Sequence, residues 1–443
     1  MVASAAEIIK PRGFTPIGPG SAAVPLPRHH SHPLQGPKAM KKPELLAPAG
    51  NLEKLRIAIH YGADAVYLGG KRFGLRSLAD NFTLAEMEEG VAYAHEHGVK
   101  VYLTANIYPD NADIEPLYRY FTELAHIPFD AVIVADPGVI GIVRDVSPER
   151  PIHLSTQANT TNWKSALFWS RQGVARVNLA REMSLADMRE VRERVDIGLE
   201  AFVHGAMCIS YSGRCLLSSV MAGRPANRGE CAHPCRWSYS LVEETRPGEY
   251  YPVMENENGT FIFNSKDLCL LPFIPELVES GVDSLKIEGR MKGINYVASV
   301  VRVYREALDH YCRDPRSYRI RDEWLEELGQ ISHRGYTTGF FLGPPKELDH
   351  EYRSRYTRTH DFVGIVEEAA YGGALVVGVR NRIEVGETLH VIGPGDPPRT
   401  FRLDAMTDEQ GEPLQVAHPN SRVRLRLPFP SRQYDLIRRE KCG

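Results

Sequence analysis

Short runs of apolar residues alternate with amphipathic helical patterns along the chain from about residue 42 onward. Runs of this length, bounded by glycine and polar residues, predict β-strands, and the longer periodic segments between them predict helices. We predict eight strands, at Glu44–Ala49, Ala65–Gly69, Lys100–Tyr108, Ala131–Asp136, Ile152–Asn159, Arg176–Arg181, Ile197–His204 and Ser284–Arg290. The clearest helices are Asn51–Tyr61, Leu84–His97, Asn162–Gln172 and Ser184–Val195.

This strand and helix order predicts a TIM-like (β/α)8 barrel. Such a barrel alternates eight parallel strands with helices over about 250 residues and carries its active site at the carboxyl ends of the strands. A doubly wound open sheet is the alternative. The barrel is favoured because no glycine-rich dinucleotide-binding loop follows the first strand.

The length of 443 residues predicts more than one domain. Residues 1–40 are rich in proline, glycine, alanine and histidine without a hydrophobic period, which predicts a disordered extension. The barrel should occupy residues 41–315, with an insertion at 205–283 between its last two strands. Residues 316–360 are predicted to be a connector. Short β-like runs separated by glycine and proline predict a small β-barrel domain at 361–443.

Four of the seven cysteines lie within 28 residues of the insertion, in the pattern Cys208-x6-Cys215-x15-Cys231-x3-Cys235. The N-terminus lacks the apolar core of a secretion signal, so we expect a cytoplasmic location, where such thiols bind metals rather than form disulfides. An iron–sulfur cluster is favoured. Structural zinc is the first alternative, although only the second pair has zinc-knuckle spacing, and buried thiols without metal are the second.

Charge and hydropathy indicate whether the protein is expected to bind a membrane or a nucleic acid. No apolar run approaches the length of about 18 residues that suggests a membrane span, so we expect no membrane association. The net charge of −3 does not by itself indicate nucleic-acid binding. Two arginine-rich stretches, His204–Tyr239 and Arg422–Lys441, are either ordinary solvated surface or sites that bind phosphates.

Several predicted strands carry polar residues on one face, which in a barrel should point into the lumen. Buried polar groups are costly unless they bind a ligand or satisfy each other. They therefore form either a pocket for a polar, anionic small molecule or an internal salt-bridge network, such as Lys286 with Glu200 or Glu288. The candidate catalytic residues are Glu200, His204 and Glu288, and the candidate substrate-binding residues are Lys286, Arg290, Gln157, Asn178 and Asn106.

Six segments together resemble the U-32 peptidase family, which is also called collagenase-like. They are Pro43–Asn51, Gly62–Gly69, His204–Cys215, Asn264–Leu268, Lys286–Lys292 and Ser332–Gly339. The likeness runs from about residue 42 to near the C-terminus. Within the family the chain is most similar to the prephenate-dependent tRNA uridine hydroxylases, which in turn resemble the ribosomal RNA cytidine hydroxylase and the paired hydroxylases of ubiquinone synthesis.

The resemblance implies a 4Fe–4S cluster held by Cys208, Cys215, Cys231 and Cys235 in a barrel catalytic domain. It also implies hydroxylation of the wobble uridine of tRNA to 5-hydroxyuridine, with prephenate, a small dicarboxylate, as the co-substrate. A paralogous subunit is a further expectation, since family members sometimes act in pairs. Lys286 and Arg290 would then be the charge partners of the carboxylates.

Three alternatives remain. The family name suggests a collagenase-like peptidase, but the chain contains neither an HExxH metal site nor a GxSxG nucleophile elbow. A hydroxylase acting on ribosomal RNA or on a small aromatic substrate is the second alternative. The third is a non-catalytic module that binds RNA or a partner and holds a structural metal.

Overall fold

The structure is a computed structural model. It describes residues 41–75, 80–207, 215–234, 240–242, 250–252, 266–343, 359–369 and 374–441. The predicted extension at 1–40 and two of the four predicted metal ligands, Cys208 and Cys235, lie outside the described residues.

Seven parallel strands form most of a barrel: β1 (Glu44–Pro48), β2 (Ala65–Leu68), β3 (Lys100–Thr104), β4 (Ala131–Val134), β5 (Ile152–Leu154), β6 (Arg176–Asn178) and β7 (Gly198–Ala206). Three short strands follow in the predicted insertion: β8 (Ser240–Val242), β9 (Tyr250–Pro252) and β10 (Asp267–Cys269). The eighth barrel strand is β11 (Ser284–Ile287), which pairs in parallel with both β7 and β1. This double pairing closes the ring, so the predicted TIM-like barrel is confirmed.

The helices are α1 (Leu52–His60), α2 (Leu84–Glu96), α3 (Ile114–Leu124), α4 (Pro137–Val146), α5 (Trp163–Arg171), α6 (Leu185–Arg194), α7 (Leu217–Ala222), α8 (Ile274–Glu279), α9 (Ile294–Arg313) and α10 (Asp322–Gln330). Their starts follow from local chemistry, since Ser184 and Asp187 form a reciprocal capping box at α6. The four helices predicted most clearly are confirmed. Within the described part of the chain, no helix has the length and apolar character needed to cross a membrane.

Several predicted strands end earlier than their apolar runs suggested, and the fifth shows the reason most clearly. Strand β5 ends at Leu154, and Thr156–Ala158 forms a 3-10 turn that begins where the Ser155 side chain accepts the N–H of Gln157. Asn159 then takes a left-handed conformation with φ of 54°. The predicted strand Ile152–Asn159 is therefore wrong beyond Leu154, because a side-chain hydrogen bond ends the strand there.

Strand β7 is longer than the other barrel strands and passes the end of the barrel. Its last residues pair antiparallel with β10, where Ala206 lies opposite Asp267, and β10 pairs in parallel with β12 (Tyr336–Thr337). The start of the cysteine-bearing insertion is thereby held beside β10, which lies near the end of the insertion. The Asp267 carboxylate accepts from Arg334 at 2.5 Å, and both side chains are buried. The predicted connector at 316–360 thus contributes α10 and β12 to the packed structure.

The C-terminal domain is a sheet domain with its own apolar core. Its strands are β13 (His360–Ala369), β14 (Ala374–Val379), β15 (Ile383–Glu384), β16 (Thr388–Ile392), β17 (Arg399–Arg402), β18 (Met406–Thr407), β19 (Pro413–Leu414), β20 (Val416–Ala417), β21 (Arg422–Arg426) and β22 (Leu436–Glu440). Eight of them form one antiparallel sheet in the order β17-β16-β22-β13-β14-β21-β18-β19. On β21, exposed arginines alternate with buried Val423 and Leu425, as expected for a sheet with one face exposed to solvent. The predicted C-terminal β-domain is confirmed as an antiparallel sheet domain.

A buried ionic cluster joins the sheet domain to the barrel. Glu327 of α10 accepts two hydrogen bonds from Arg438 of β22, at 2.8 and 2.5 Å. Arg302 of α9 lies 3.0 Å from the same carboxylate. All three side chains are at least 95% buried, so this contact is part of the interior rather than of the surface.

Candidate functional site

A cavity of about 150 Å³ lies at the carboxyl ends of the barrel strands. Its wall is formed by the ends of β3, β6, β7 and β11, by the turn after β5, and by the cysteine-bearing segment that follows β7. This is the end of a TIM barrel at which active sites are found, because the loops that follow the strands converge there.

The structure brings most of the predicted site residues to this cavity. Those that line it are Asn106, Gln157, Asn178, Lys286, Glu288, Arg290, Cys215 and Cys231. Two predicted catalytic residues, Glu200 and His204, do not contribute to the described cavity wall.

Glu200 lies deeper in the barrel, where it neutralises Lys286. The Lys286 ammonium is 2.7 Å from Glu200 Oε1, and both side chains are buried. Arg176 lies 3.5 Å from the other Glu200 oxygen and also pairs with Glu44 at 2.6 Å. The internal salt-bridge network that the sequence left open is therefore present at the amino-terminal end of the lumen.

Arg290 is held in a fixed position at the cavity wall. Its Nη1 donates to the Leu75 carbonyl and the Thr104 hydroxyl, each at 2.9 Å, and its Nη2 donates to the Asn81 side chain. Gly69 leaves the space for this guanidinium, since a Cβ there would lie 2.6 Å from Arg290 Nη2. The sequence pattern gave no indication of this requirement for glycine.

Side-chain amides form a second part of the wall. Asn106 donates to Gln157 Oε1 at 2.9 Å and to the Ser155 hydroxyl at 3.2 Å, and accepts the Leu75 N–H at 3.2 Å. These bonds fix the orientation of both amides. The Asn178 Oδ1 atom is buried and has no hydrogen-bond partner among the residues that the structure describes.

Arg181 lines the cavity and was not among the predicted site residues. Its guanidinium lies 3.9 Å above the Phe202 ring and 3.8 Å from Glu288 Oε2. The available signal was its position, because it closes the run Arg176–Arg181 and so follows β6 at the functional end of the barrel.

His204 lies behind the cavity wall, among the rings of Tyr296, Tyr304 and Tyr336 at 5.4 to 5.9 Å. Its Nδ1 is 3.4 Å from the Tyr304 hydroxyl. Burial lowers the pKa of His204 to about 3, and the nearby Asp267 carboxylate offsets this only in part. The imidazole is therefore neutral near pH 7.

The two described cysteines of the predicted ligand set, Cys215 and Cys231, both reach the cavity, and neither forms a disulfide. Cys231 Sγ accepts the N–H of His233 at 3.4 Å, and His233 has a left-handed φ of 55°. Backbone N–H groups directed at sulfur are a feature of thiolate-bound metal centres.

The segment that carries these cysteines is anchored to the barrel. Arg228 pairs with Asp113 at 2.7 Å, and the Tyr108 N–H donates to the Asn227 carbonyl at 3.2 Å. Over the described ranges, no group of three or more cysteine, histidine or acidic side chains forms a metal site.

The sequence model of peptidase family U32 matches residues 50–351, and that of the family's C-terminal domain matches residues 358–438. The chain belongs to peptidase family U32. The resemblance inferred from the sequence is thereby confirmed.

Several relatives of the chain carry names that refer to RNA. The chain is 45% identical to tRNA hydroxylation protein P1 of Bacillus subtilis, over 90% of this chain and 96% of the relative. It is 37% identical to tRNA hydroxylation protein P of Escherichia coli, over 91% and 98% of the two chains. It is 33% identical to the 23S rRNA 5-hydroxycytidine C2501 synthase of Escherichia coli, over 80% of this chain and 57% of the relative.

Proposed function

We propose that this protein is an RNA hydroxylase that acts on tRNA, converting the wobble uridine to 5-hydroxyuridine with prephenate as co-substrate. The observation that carries the proposal is the 45% identity to a tRNA hydroxylation protein over 90% of this chain, a span that includes both the barrel and the sheet domain. The ribosomal RNA synthase is more distant and contains a large region with no counterpart here.

The dimensions of the cavity support chemistry on a single base. Enzymes that modify a base bring it out of the stack into a pocket, and an unpaired anticodon base needs little energy to leave. A cavity of about 150 Å³ is suited to a small group such as a base or a small acid, not to a folded RNA. The tRNA body would therefore bind outside the barrel mouth.

The charges of the cavity support a small dicarboxylate. Its described lining contains the cations Arg181, Lys286 and Arg290 and the single carboxylate Glu288. Prephenate would bind in this cationic environment, with Lys286 and Arg290 as charge partners of its carboxylates.

A 4Fe–4S cluster held by Cys208, Cys215, Cys231 and Cys235 is part of the proposal. The two described thiols line one cavity, and the N–H that Cys231 accepts suits a thiolate ligand, so the residues present fit such a centre. The cluster would supply electron transfer next to the reacting base.

The protein's own residues would bind and orient the substrates and handle protons. Glu288 is the predicted proton-transfer group that reaches the cavity. Glu200 would act through Lys286, whose ammonium it positions. His204 would support the cavity wall from behind, because its neutral ring packs against tyrosine side chains.

The experiment uses an Escherichia coli strain that lacks its tRNA hydroxylation protein P. The strain receives this chain, its Cys231→Ser variant, or its Cys312→Ser variant, and nucleosides of hydrolysed tRNA are measured by mass spectrometry. Cys312 lies at the end of α9, outside the described cavity lining, and serves as the matched control.

We expect wild type and Cys312→Ser to restore 5-hydroxyuridine and Cys231→Ser to fail. Purified protein and tRNA from the deletion strain should then react only when prephenate is added. Unmodified tRNA with wild-type protein in both assays would refute tRNA hydroxylation. Modification without prephenate would remove the co-substrate from the proposal.

Peptidase activity is a second candidate, and one contact favours it. Cys231 Sγ lies 3.8 Å from His233 Nδ1, and a thiol next to an imidazole is a common catalytic pair. Incubation of purified protein with denatured collagen tests this. Cleavage by wild type but not by His233→Ala would establish the peptidase, whereas intact collagen in both samples would exclude it.

A further inference from the structure

The three cations of the cavity wall differ in what holds them. Lys286 is paired with Glu200 at 2.7 Å inside the barrel. Arg290 uses both Nη atoms in hydrogen bonds to oxygens of Leu75, Asn81 and Thr104. Both side chains are thereby fixed by the protein itself.

Arg181 is held in a different way. No side-chain hydrogen bond of Arg181 is present among the described residues, and its Nε atom is buried without a partner there. The nearest carboxylate oxygen, on Glu288, lies at 3.8 Å, beyond hydrogen-bonding distance. The side chain is nevertheless only 10% exposed. The Nη groups of a guanidinium that has no protein acceptor must bond to water or to a ligand in the cavity, and a carboxylate is the stronger acceptor.

The geometry of Arg181 suits a carboxylate. The ring of Phe202 covers one face of the guanidinium at 3.9 Å, which fixes its plane and leaves its edge for a ligand. A guanidinium edge binds a carboxylate through two parallel hydrogen bonds. Asn178, three residues earlier and also on the cavity wall, has a buried Oδ1 that accepts no hydrogen bond within the described ranges. A hydroxyl group of the ligand is the donor that matches it.

We infer that Arg181 and Asn178 form a subsite for a hydroxy acid, in which Arg181 binds a carboxylate through two hydrogen bonds and Asn178 accepts from a hydroxyl. The subsite deepens the proposed function and rests on it only in the choice of prephenate as one probe. Lys286 and Arg290 then provide the surrounding positive charge, and Arg181 makes the direct contact.

The test measures equilibrium binding by titration calorimetry on the full-length protein, purified under anaerobic conditions. The probes are prephenate, malate and succinate, which differ in whether they carry a hydroxyl. The variants are Arg181→Met, Arg181→Lys and Asn178→Leu. The matched control is Arg194→Met, since Arg194 also stacks on an aromatic ring, that of Trp163 at 4.9 Å, and pairs with Glu190, but lies on α6 outside the described cavity wall.

We expect Arg181→Met to weaken prephenate and malate binding by about 10- to 100-fold, the range for loss of a charge-assisted bidentate contact. Arg181→Lys should bind with intermediate affinity because it retains charge but not the planar fork, and Arg194→Met should match wild type. Wild type should prefer malate to succinate, and Asn178→Leu should lose that preference.

Equal binding by Arg181→Met and wild type would overturn the subsite while leaving the proposed hydroxylase intact. Binding of malate but not prephenate, with the same dependence on Arg181, would support the subsite and remove prephenate from the proposed function. Failure of wild type to bind any of the three acids would overturn the subsite. If Arg181→Met does not fold, Arg181→Lys takes its place. Binding by Arg181→Lys equal to that of wild type would then overturn the subsite.

Discussion

The contact between the barrel and the sheet domain gives a prediction with a calculable magnitude. Glu327 accepts from Arg438 and lies 3.0 Å from Arg302, with all three side chains buried. Glu327→Gln keeps the shape but removes the negative charge, which leaves two buried guanidinium groups facing a neutral amide. Breaking a buried ion pair on one side costs about 3–5 kcal/mol, because the remaining charge stays uncompensated.

The same contact also lowers the pKa of Glu327. Burial alone would raise this pKa, but the hydrogen bonds and charges of Arg438 and Arg302 outweigh it and hold the pKa at about 2. Against an unfolded value near 4.3, this shift corresponds to about 3 kcal/mol of stability. Because the folded pKa is depressed, that stability is fully present above about pH 4.3 and is lost as the pH falls towards 2.

Urea unfolding followed by tryptophan fluorescence at pH 7, 5, 4 and 3.5 measures both effects, with Trp324 of α10 as a local probe. The free energy of unfolding of Glu327→Gln should be about 3–5 kcal/mol below wild type at pH 7, and this difference should shrink below pH 4.3. Glu190→Gln is the control, since its exposed pair with Arg194 should contribute less than about 1 kcal/mol. A loss below about 1 kcal/mol for Glu327→Gln, or a difference that does not change with pH, would refute the reasoning.

Three further predictions concern the cysteine-bearing insertion. Arg334→Met should lower the free energy of unfolding by about 3–5 kcal/mol and speed amide exchange in β10, because it leaves buried Asp267 without its 2.5 Å partner; unchanged exchange would contradict this. Gly205→Ala should lower the melting temperature more than Gly98→Ala. Both glycines have positive φ, but only at Gly205 would a Cβ meet a backbone oxygen at 2.5 Å. Equal melting temperatures would count against this close approach of the Gly205 Cβ to the backbone oxygen. Arg228→Met should change the free energy of unfolding in urea by less than about 1 kcal/mol because its ion pairs are partly exposed, and a loss above about 2 kcal/mol would show otherwise.

Much of the barrel was predictable because its signals are local. Apolar runs and capping residues identified all eight strands and the clearest helices, since a buried strand and a capped helix each depend on neighbours in sequence. The end of β5 at Leu154 was not predicted, because the Ser155 side chain competes with the strand for the backbone N–H of Gln157. Because of that local hydrogen bond, Gln157 lies in a turn rather than in a strand, and its side chain reaches the cavity from that turn.

The membership of the candidate site was predictable in part, and the pairing of its residues was not. Residue type and position at strand ends placed Asn106, Gln157, Lys286 and Arg290 on the cavity wall, where the structure has them. Their partners come from distant parts of the chain, since Lys286 pairs with Glu200, 86 residues away, and Arg290 with Asn81, 209 residues away. Which cation is neutralised therefore depends on the closure of the barrel.

The sequence alone determined the alternation of strands and helices, the family, and the residues that carry reactive groups, because these depend on side-chain type and short-range order. Only the tertiary structure decided that His204 packs among tyrosines behind the wall, and that Arg181 reaches the cavity without a hydrogen bond from the described residues. Burial and pairing are properties of the space between elements. They arise when strands distant in sequence meet around one lumen, and no local pattern encodes them.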